Sequence, residues 1–269
     1  MTKAKLFFPV LTLFFILSGC STLNQINLYS VDDDKQLGTQ MYNQIQSDTK
    51  EYPMLDETKY AKAYAQVKGI VNAILQTGLV ENASSYDWTL KIINADVQNA
   101  FACPGGKIYI YTGLINYLDN EAQLAGVLAH ELGHVSYRHS TRQMTKQVGV
   151  QALTSLVLGK NPGQLATLTA QVAGSLGGLA FSRSDEYEAD AFAVKALSLT
   201  DYNPLGVAGF FLKLESAGEA GSATPVFLST HPSPPDRIER IKAEWQANGS
   251  KKGNDYPDKI ATLKSYLKQ

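Results

Sequence analysis

The chain has 269 residues, of which 44% are hydrophobic and 18% charged, and its formal net charge is −1. Such a composition belongs to a folded globular protein and excludes disorder as the default state. With no basic block and no long acidic run, it also excludes nucleic acid and electrostatic binding to a membrane surface as obvious partners, so function has to be sought in a site.

The N-terminus, MTKAKLFFPVLTLFFILSGC, carries Lys3 and Lys5, then an apolar run from Leu6 to Leu17, then small residues. This is the layout of a secretory signal over residues 1–19, too short to span a bilayer. Its end, Leu17-Ser18-Gly19-Cys20, resembles the bacterial lipobox, which implies that Cys20 is lipidated and becomes the first residue of the mature chain. Several acyl chains on one residue anchor a protein stably, at about 0.8 kcal/mol per buried methylene. Likeness to other lipoproteins, with Ser21 in the second position, points to the outer membrane, facing the periplasm. Residues 20–30, CSTLNQINLYS, read as a tether and residues 31–269 as a single domain. With Cys20 lipidated, Cys103 stands alone and no intramolecular disulfide can form. Cys103 lies in the apolar stretch AFACPGGKIYIYTG and is expected to be a buried packing residue.

From Asp32 the sequence turns helical, with acids that can cap a helix N-terminus and Leu37, Met41 and Ile45 recurring every four residues. A second helix carries Tyr60, Tyr64, Val67, Val71, Ile74 and Leu75 on one face and stops at Gly78. Between residues 86 and 111 the period changes. WTLKIIN and AFACP read as strands, PGG as a turn, and KIYIY as a third strand with Ile108 and Ile110 alternating against Lys107, Tyr109 and Tyr111. A further helix is expected from about Glu121 to Tyr137, with Asp119 or Asn120 as its cap. Residues 148–181 are nearly uncharged, but Lys160, Asn161, Pro162 and Gly163 cut them in half, which favours two buried helices over a membrane span. Helices are also expected around SDEYEADAFAVKAL and after Asn203-Pro204. The fold class is therefore α+β and predominantly helical, with a small mixed or antiparallel sheet beside the Glu121–Tyr137 helix.

That helix contains His130, Glu131 and His134 in the pattern His-Glu-x-x-His. Successive helical residues turn about 100°, so His130 and His134 lie about 40° apart on one face and two imidazoles can meet one ion. Imidazole suits zinc, and a catalytic zinc takes three protein ligands and leaves a position open. Gly133, a weak helix former, leaves room for another backbone or a substrate close to the site. The third ligand should be a His, Glu or Asp on another element. His139 falls about 140° around the helix from the pair and cannot join it unless the helix has ended, so a solvated or capping role is expected. SRSDEYEADAFA offers Asp185, Glu186, Glu188 and Asp190. Glu186, Ala189, Asp190 and Ala193 share one face, where one carboxylate can bind metal while the other accepts the spare N–H of a ligating histidine. Glu188 points to the far side as a solvated charge. Spacing alone does not choose between Glu186 and Asp190.

The segments AFACPGGKIYIYTGLI, HELGHVSYRH, FSRSDEYEADAFA and STHPSPPDRIERI occur in this order over roughly residues 31–245. Together they resemble the HtpX and CAAX-prenyl-protease type of zinc metallopeptidase, and with the lipobox the bacterial lipoprotein branch of that family, LoiP-like and BepA-like. The resemblance implies a zincin-like metallopeptidase fold, zinc held by His130, His134 and Glu186, and Asp190 as the residue behind a ligand. It also implies that His231 can reach the metal and hold the enzyme inactive; a loop histidine there could instead donate to a developing oxyanion. The reaction expected is peptide-bond hydrolysis with Glu131 as general base. The strand KIYIY is expected to offer an unpaired edge to extended polypeptides, such as unfolded or misfolded envelope proteins. The alternative is a lipid-anchored chaperone or assembly factor with a latent metal site.

Overall fold

The structure, a computed structural model, describes residues 26–146, 181–219, 226–232 and 235–268. The expected signal over 1–19, Cys20 and the helices of 148–180 lie outside the described residues. Helices α1 (Val31–Ser47) and α2 (Ala61–Leu75) come first, then strands β1 (Thr89–Ile93), β2 (Ala100–Cys103) and β3 (Lys107–Tyr111). Short α3 (Thr112–Tyr117) leads into α4 (Glu121–Ser136), which carries the His-Glu-x-x-His pattern. Then follow α5 (Arg183–Ser198), α6 (Gly206–Glu219), α7 (Phe227–Thr230), α8 (Arg237–Ala247) and α9 (Pro257–Tyr266). The protein is α+β and predominantly helical.

Local chemistry explains the helix starts. α1 begins one residue earlier than the acids suggest, because Ser30 caps it and exchanges hydrogen bonds with Asp33 in a capping box. α5 begins the same way, with Ser182 and Asp185. Asn120 is the residue that caps α4, accepting from the backbone N–H of Gln123. After Asn203-Pro204 the helix α6 starts only at Gly206.

The sheet is mixed, in the order β1-β3-β2, with β1 parallel and β2 antiparallel to β3. KIYIY is therefore the central strand, hydrogen-bonded on both sides, and cannot offer a free edge. Strand order follows from tertiary pairing, which alternation of side chains does not encode. All five residues of β3 are buried, so both of its alternating faces meet other elements. Ile108 and Ile110 join the main core with α2 and α4, while Tyr109, Tyr111 and Cys103 pack with Ile45 and Met41 of α1 on the other face. Cys103 is only 1% exposed, a packing residue as expected.

α4 lies at the centre, packed most extensively against α5 and α6 and beside β2. Every one of its residues is buried, so it has no solvated face. Such close approach requires small residues: a Cβ on Gly133 would stand 3.1 Å from Ala189 Cα, and one on Gly126 would stand 2.3 Å from the Val207 nitrogen. The room left by Gly133 is taken by the backbone of α5. Residues 27–30 are bonded to the domain rather than free: Asn27 donates to Thr141, Leu28 N–H to Thr145, and Arg138 donates to the carbonyls of Tyr29 and Ser30.

Candidate metal centre

All four histidines of the chain fall in one buried region where α4, α5 and the loop after α7 meet. The one-turn offset on α4 brings His130 Nε2 to 3.0 Å from His134 Nε2. The carboxylate of Glu186, one turn into α5, lies 3.5 Å from each of these nitrogens. His231, at the C-terminal end of α7, places Nδ1 3.3 Å from His130 Nε2 and 3.1 Å from Glu186 Oε1. Its Nε2 is 3.5 Å from Glu131 Oε1. Phe227 stacks on His231 at 4.3 Å and Phe181 on His134 at 4.0 Å, which fixes both ring planes.

The donors fit a metal ion. Two ligands bound tetrahedrally at about 2.0–2.1 Å from one ion stand about 3.3 Å apart. His130 Nε2 stands 3.0 to 3.5 Å from His134 Nε2, His231 Nδ1 and Glu186 Oε2, and Glu186 Oε1 stands 3.1 Å from His231 Nδ1 and 3.5 Å from His134 Nε2. Glu131 Oε1 is buried and accepts no hydrogen bond, a costly state unless a cation or water meets it. Arg237 Nη2 pairs with Glu186 Oε2 at 2.9 Å and also donates to Asp190 Oδ1 at 2.9 Å. Imidazole nitrogens with one carboxylate are a donor set suited to zinc.

Behind His130, Nδ1 lies 2.9 Å from Asp190 Oδ1. Asp190 in turn accepts from Arg237 Nε at 2.6 Å and Nη2 at 2.9 Å. The guanidinium is fully buried and sits 3.7 Å over the ring of Phe211. Sequence reasoning missed Arg237. Its one signal is a cation on the apolar face of the amphipathic segment DRIERI, in line with the buried Ile241.

The electrostatics favour positive charge at the centre. Burial raises the pKa of Glu186, but the neighbouring imidazoles of His231 and His130 outweigh it and hold the carboxyl well below its usual range. Burial likewise opposes ionisation of Asp190, and Arg237 and His130 overcome it. His130 is depressed by burial yet carried to about 9 by Asp190 and Glu186. His134 is pushed well below the imidazole range by burial and then by His130, which leaves it neutral with a lone pair to give. Burial raises the Glu131 carboxyl, with His231 and His130 pulling the other way.

Two expectations are corrected here. His139 is neither solvated nor capping: it is fully buried, with Nδ1 2.8 Å from His134 Nδ1. α4 has ended at Ser136, and Arg138, with φ 56°, turns the chain so that residue 139 returns to the side of His134. Glu188 is not a free surface charge. It accepts from His139 Nε2 and Arg142 Nη1, each at 3.1 Å, and these bonds, with burial opposing, lower its pKa to about 2. Asp185 is the capping-box residue of α5, 3.8 Å from Lys146 and 3.9 Å from Arg142. The His139, Asp185 and Glu188 group could geometrically hold a second ion, but these two cations already meet its charge.

Residues 61–245 match the sequence pattern of peptidase family M48. Over 200 residues the chain is 34% identical to a beta-barrel assembly-enhancing protease of Yersinia pestis, covering 70% of this chain and 40% of that protein. It is 37% identical to the protein of that name from Escherichia coli strain K12, covering 55% of this chain and 32% of that protein. The chain thus spans well under half the length of these two relatives. To the metalloprotease LoiP of Escherichia coli strain K12 it is 29% identical, over 88% of this chain and 94% of that protein.

Proposed function

The chain belongs to peptidase family M48, and on that premise we propose that it is a zinc-dependent endopeptidase of the bacterial cell envelope. The observation that carries the reading is the convergence of His130, His134 and Glu186 beside a Glu131 carboxylate with a buried oxygen that accepts no hydrogen bond. Zinc, when bound by these three residues, supplies Lewis-acid polarisation of a carbonyl and makes water acidic near neutral pH. Glu131 removes the proton of the attacking water and delivers it to the leaving amine. Asp190 and Arg237 hold the His130 ring in place.

The substrate edge is β2 rather than β3. β2 runs beside α4, and among the described residues no strand pairs with its outer side. An extended polypeptide adding there lies against the site through main-chain hydrogen bonds, which favours unfolded or misfolded segments. Envelope proteins are the substrates we infer, in line with the names of the relatives and with the lipobox expected at Cys20, which would tether the enzyme to the outer membrane on its periplasmic side. Among the described residues no helix is long and apolar enough to cross a membrane. Cleavage of casein by the zinc-loaded protein, abolished in Glu131→Gln with zinc still bound, is the expected result. Loss of both zinc and cleavage, or of neither, would overturn the assignment.

One observation favours a second reading, an assembly factor or chaperone whose metal site is latent. His231 stands where a fourth ligand would and touches Glu131, and the Phe227 N–H donates to the Gln98 carbonyl at 3.3 Å, just ahead of β2. The loop thus occupies both the open corner and the approach to the edge. His231→Ala separates the two readings: gained cleavage means a latent protease, whereas continued inactivity with zinc bound means a binding protein.

A further inference from the structure

His134 has two ring nitrogens, and the centre uses only Nε2, which faces His130 and Glu186. When Nε2 gives its lone pair to a cation, Nδ1 must carry the proton. That nitrogen lies 2.8 Å from His139 Nδ1. The other nitrogen of His139 lies 3.1 Å from Glu188 Oε2, which Arg142 also contacts at 3.1 Å. An ionised carboxylate only accepts, so His139 carries its proton on Nε2 and presents a bare Nδ1 to His134. The direction of every hydrogen bond is thus set from the outer end inward. His130 reaches a carboxylate directly, whereas His134 reaches one through an intervening imidazole.

We propose that His139, itself set by Glu188 and Arg142, is a positioning residue that fixes the tautomer and ring plane of His134 and so its strength as a metal ligand. This rests on the reading that His130, His134 and Glu186 hold the metal. The fold supplies the geometry through the left-handed Arg138, whose side chain is tied to Asp34 and to the carbonyls of Tyr29 and Ser30. A residue continuing α4 in phase would leave His139 on the wrong side.

The test measures the zinc dissociation constant of the mature chain by competition with a chromogenic chelator, in wild type, His139→Leu and His139→Asn. The asparagine Oδ1 stands where the histidine Nδ1 stood and can accept the same proton. His139→Leu should bind zinc about 10–100-fold more weakly, and His139→Asn should recover to within about threefold of wild type. In ¹⁵N-resolved spectra of the zinc-loaded protein the His134 Nδ1–H should persist in wild type and His139→Asn and exchange away in His139→Leu. Leucine and asparagine variants weakened alike would make the role merely structural and overturn the proposal. So would zinc binding by His139→Leu within threefold of wild type, or a His134 Nδ1 without a proton. A wild-type chain that binds no zinc overturns the metal-site reading itself, and this proposal with it.

Discussion

Arg237→Met tests whether the buried charges behind the centre are mutually dependent. The guanidinium is fully buried and contacts Asp190 and Glu186 at 2.6–2.9 Å. Methionine keeps much of the volume and can lie against Phe211, so the cavity contribution is small. What remains is the cost of leaving two buried carboxylates without this partner, about 3–5 kcal/mol. For a chain of this size that corresponds to a fall in Tm of roughly 6–20 °C, at about 2–4 °C per kcal/mol. The sign with pH follows from Asp190 and Glu186, whose folded pKa values lie below their ordinary range. Such groups stabilise the fold above the unfolded carboxylate pKa of about 4, and that stability is lost as pH falls through the folded values. Without Arg237 the folded values rise, so the gap between variant and wild type should be widest at pH 7 and narrow as pH falls towards about 4. Calorimetry of the metal-free proteins at both pH values reads this directly. A gap under about 1 kcal/mol at pH 7, or one that does not change with pH, would refute the reasoning.

Three further outcomes follow from the same structure. His231→Ala should raise the rate of casein cleavage, because it frees the position 3.3 Å from His130 Nε2 and the face of Glu131; a lowered rate at unchanged zinc content would give His231 a positive role in the reaction. Gly133→Val should destabilise by at least about 1–3 kcal/mol and weaken zinc binding with it, since the added atoms press on Ala189 of the helix that carries Glu186; unchanged chemical denaturation would contradict the packing. Cys103, buried with its thiol pushed up to about 12 by desolvation, should not react with a thiol reagent at pH 8 until the chain is denatured.

Much of this arrangement was legible in the sequence because it depends on local periodicity. Leu37 and Ile45, or Tyr64, Val67, Val71 and Ile74, mark buried helix faces directly. The four-residue spacings of His130 with His134 and of Glu186 with Asp190 put each pair on one face before any coordinates exist. Strand order was not legible, because nothing in KIYIY distinguishes a central strand from an edge. His139 was misplaced because extrapolating the helical phase past Ser136 fails once Arg138 enters the left-handed region, an uncommon conformation for a residue with a Cβ. Glu188 was misplaced with it, since its partners His139 and Arg142 lie on that redirected segment. Arg237 left only a faint trace, because a buried cation is recognisable from its carboxylate partners and these lie in another part of the chain.

Anomalous diffraction at the zinc absorption edge, on crystals of the zinc-loaded mature chain, tests the central claim most directly. It should show one peak, about 2.0–2.2 Å from His130 Nε2, His134 Nε2 and a Glu186 oxygen. A peak among His139, Asp185 and Glu188 instead, or no peak at all from protein carrying one equivalent of zinc, would contradict it.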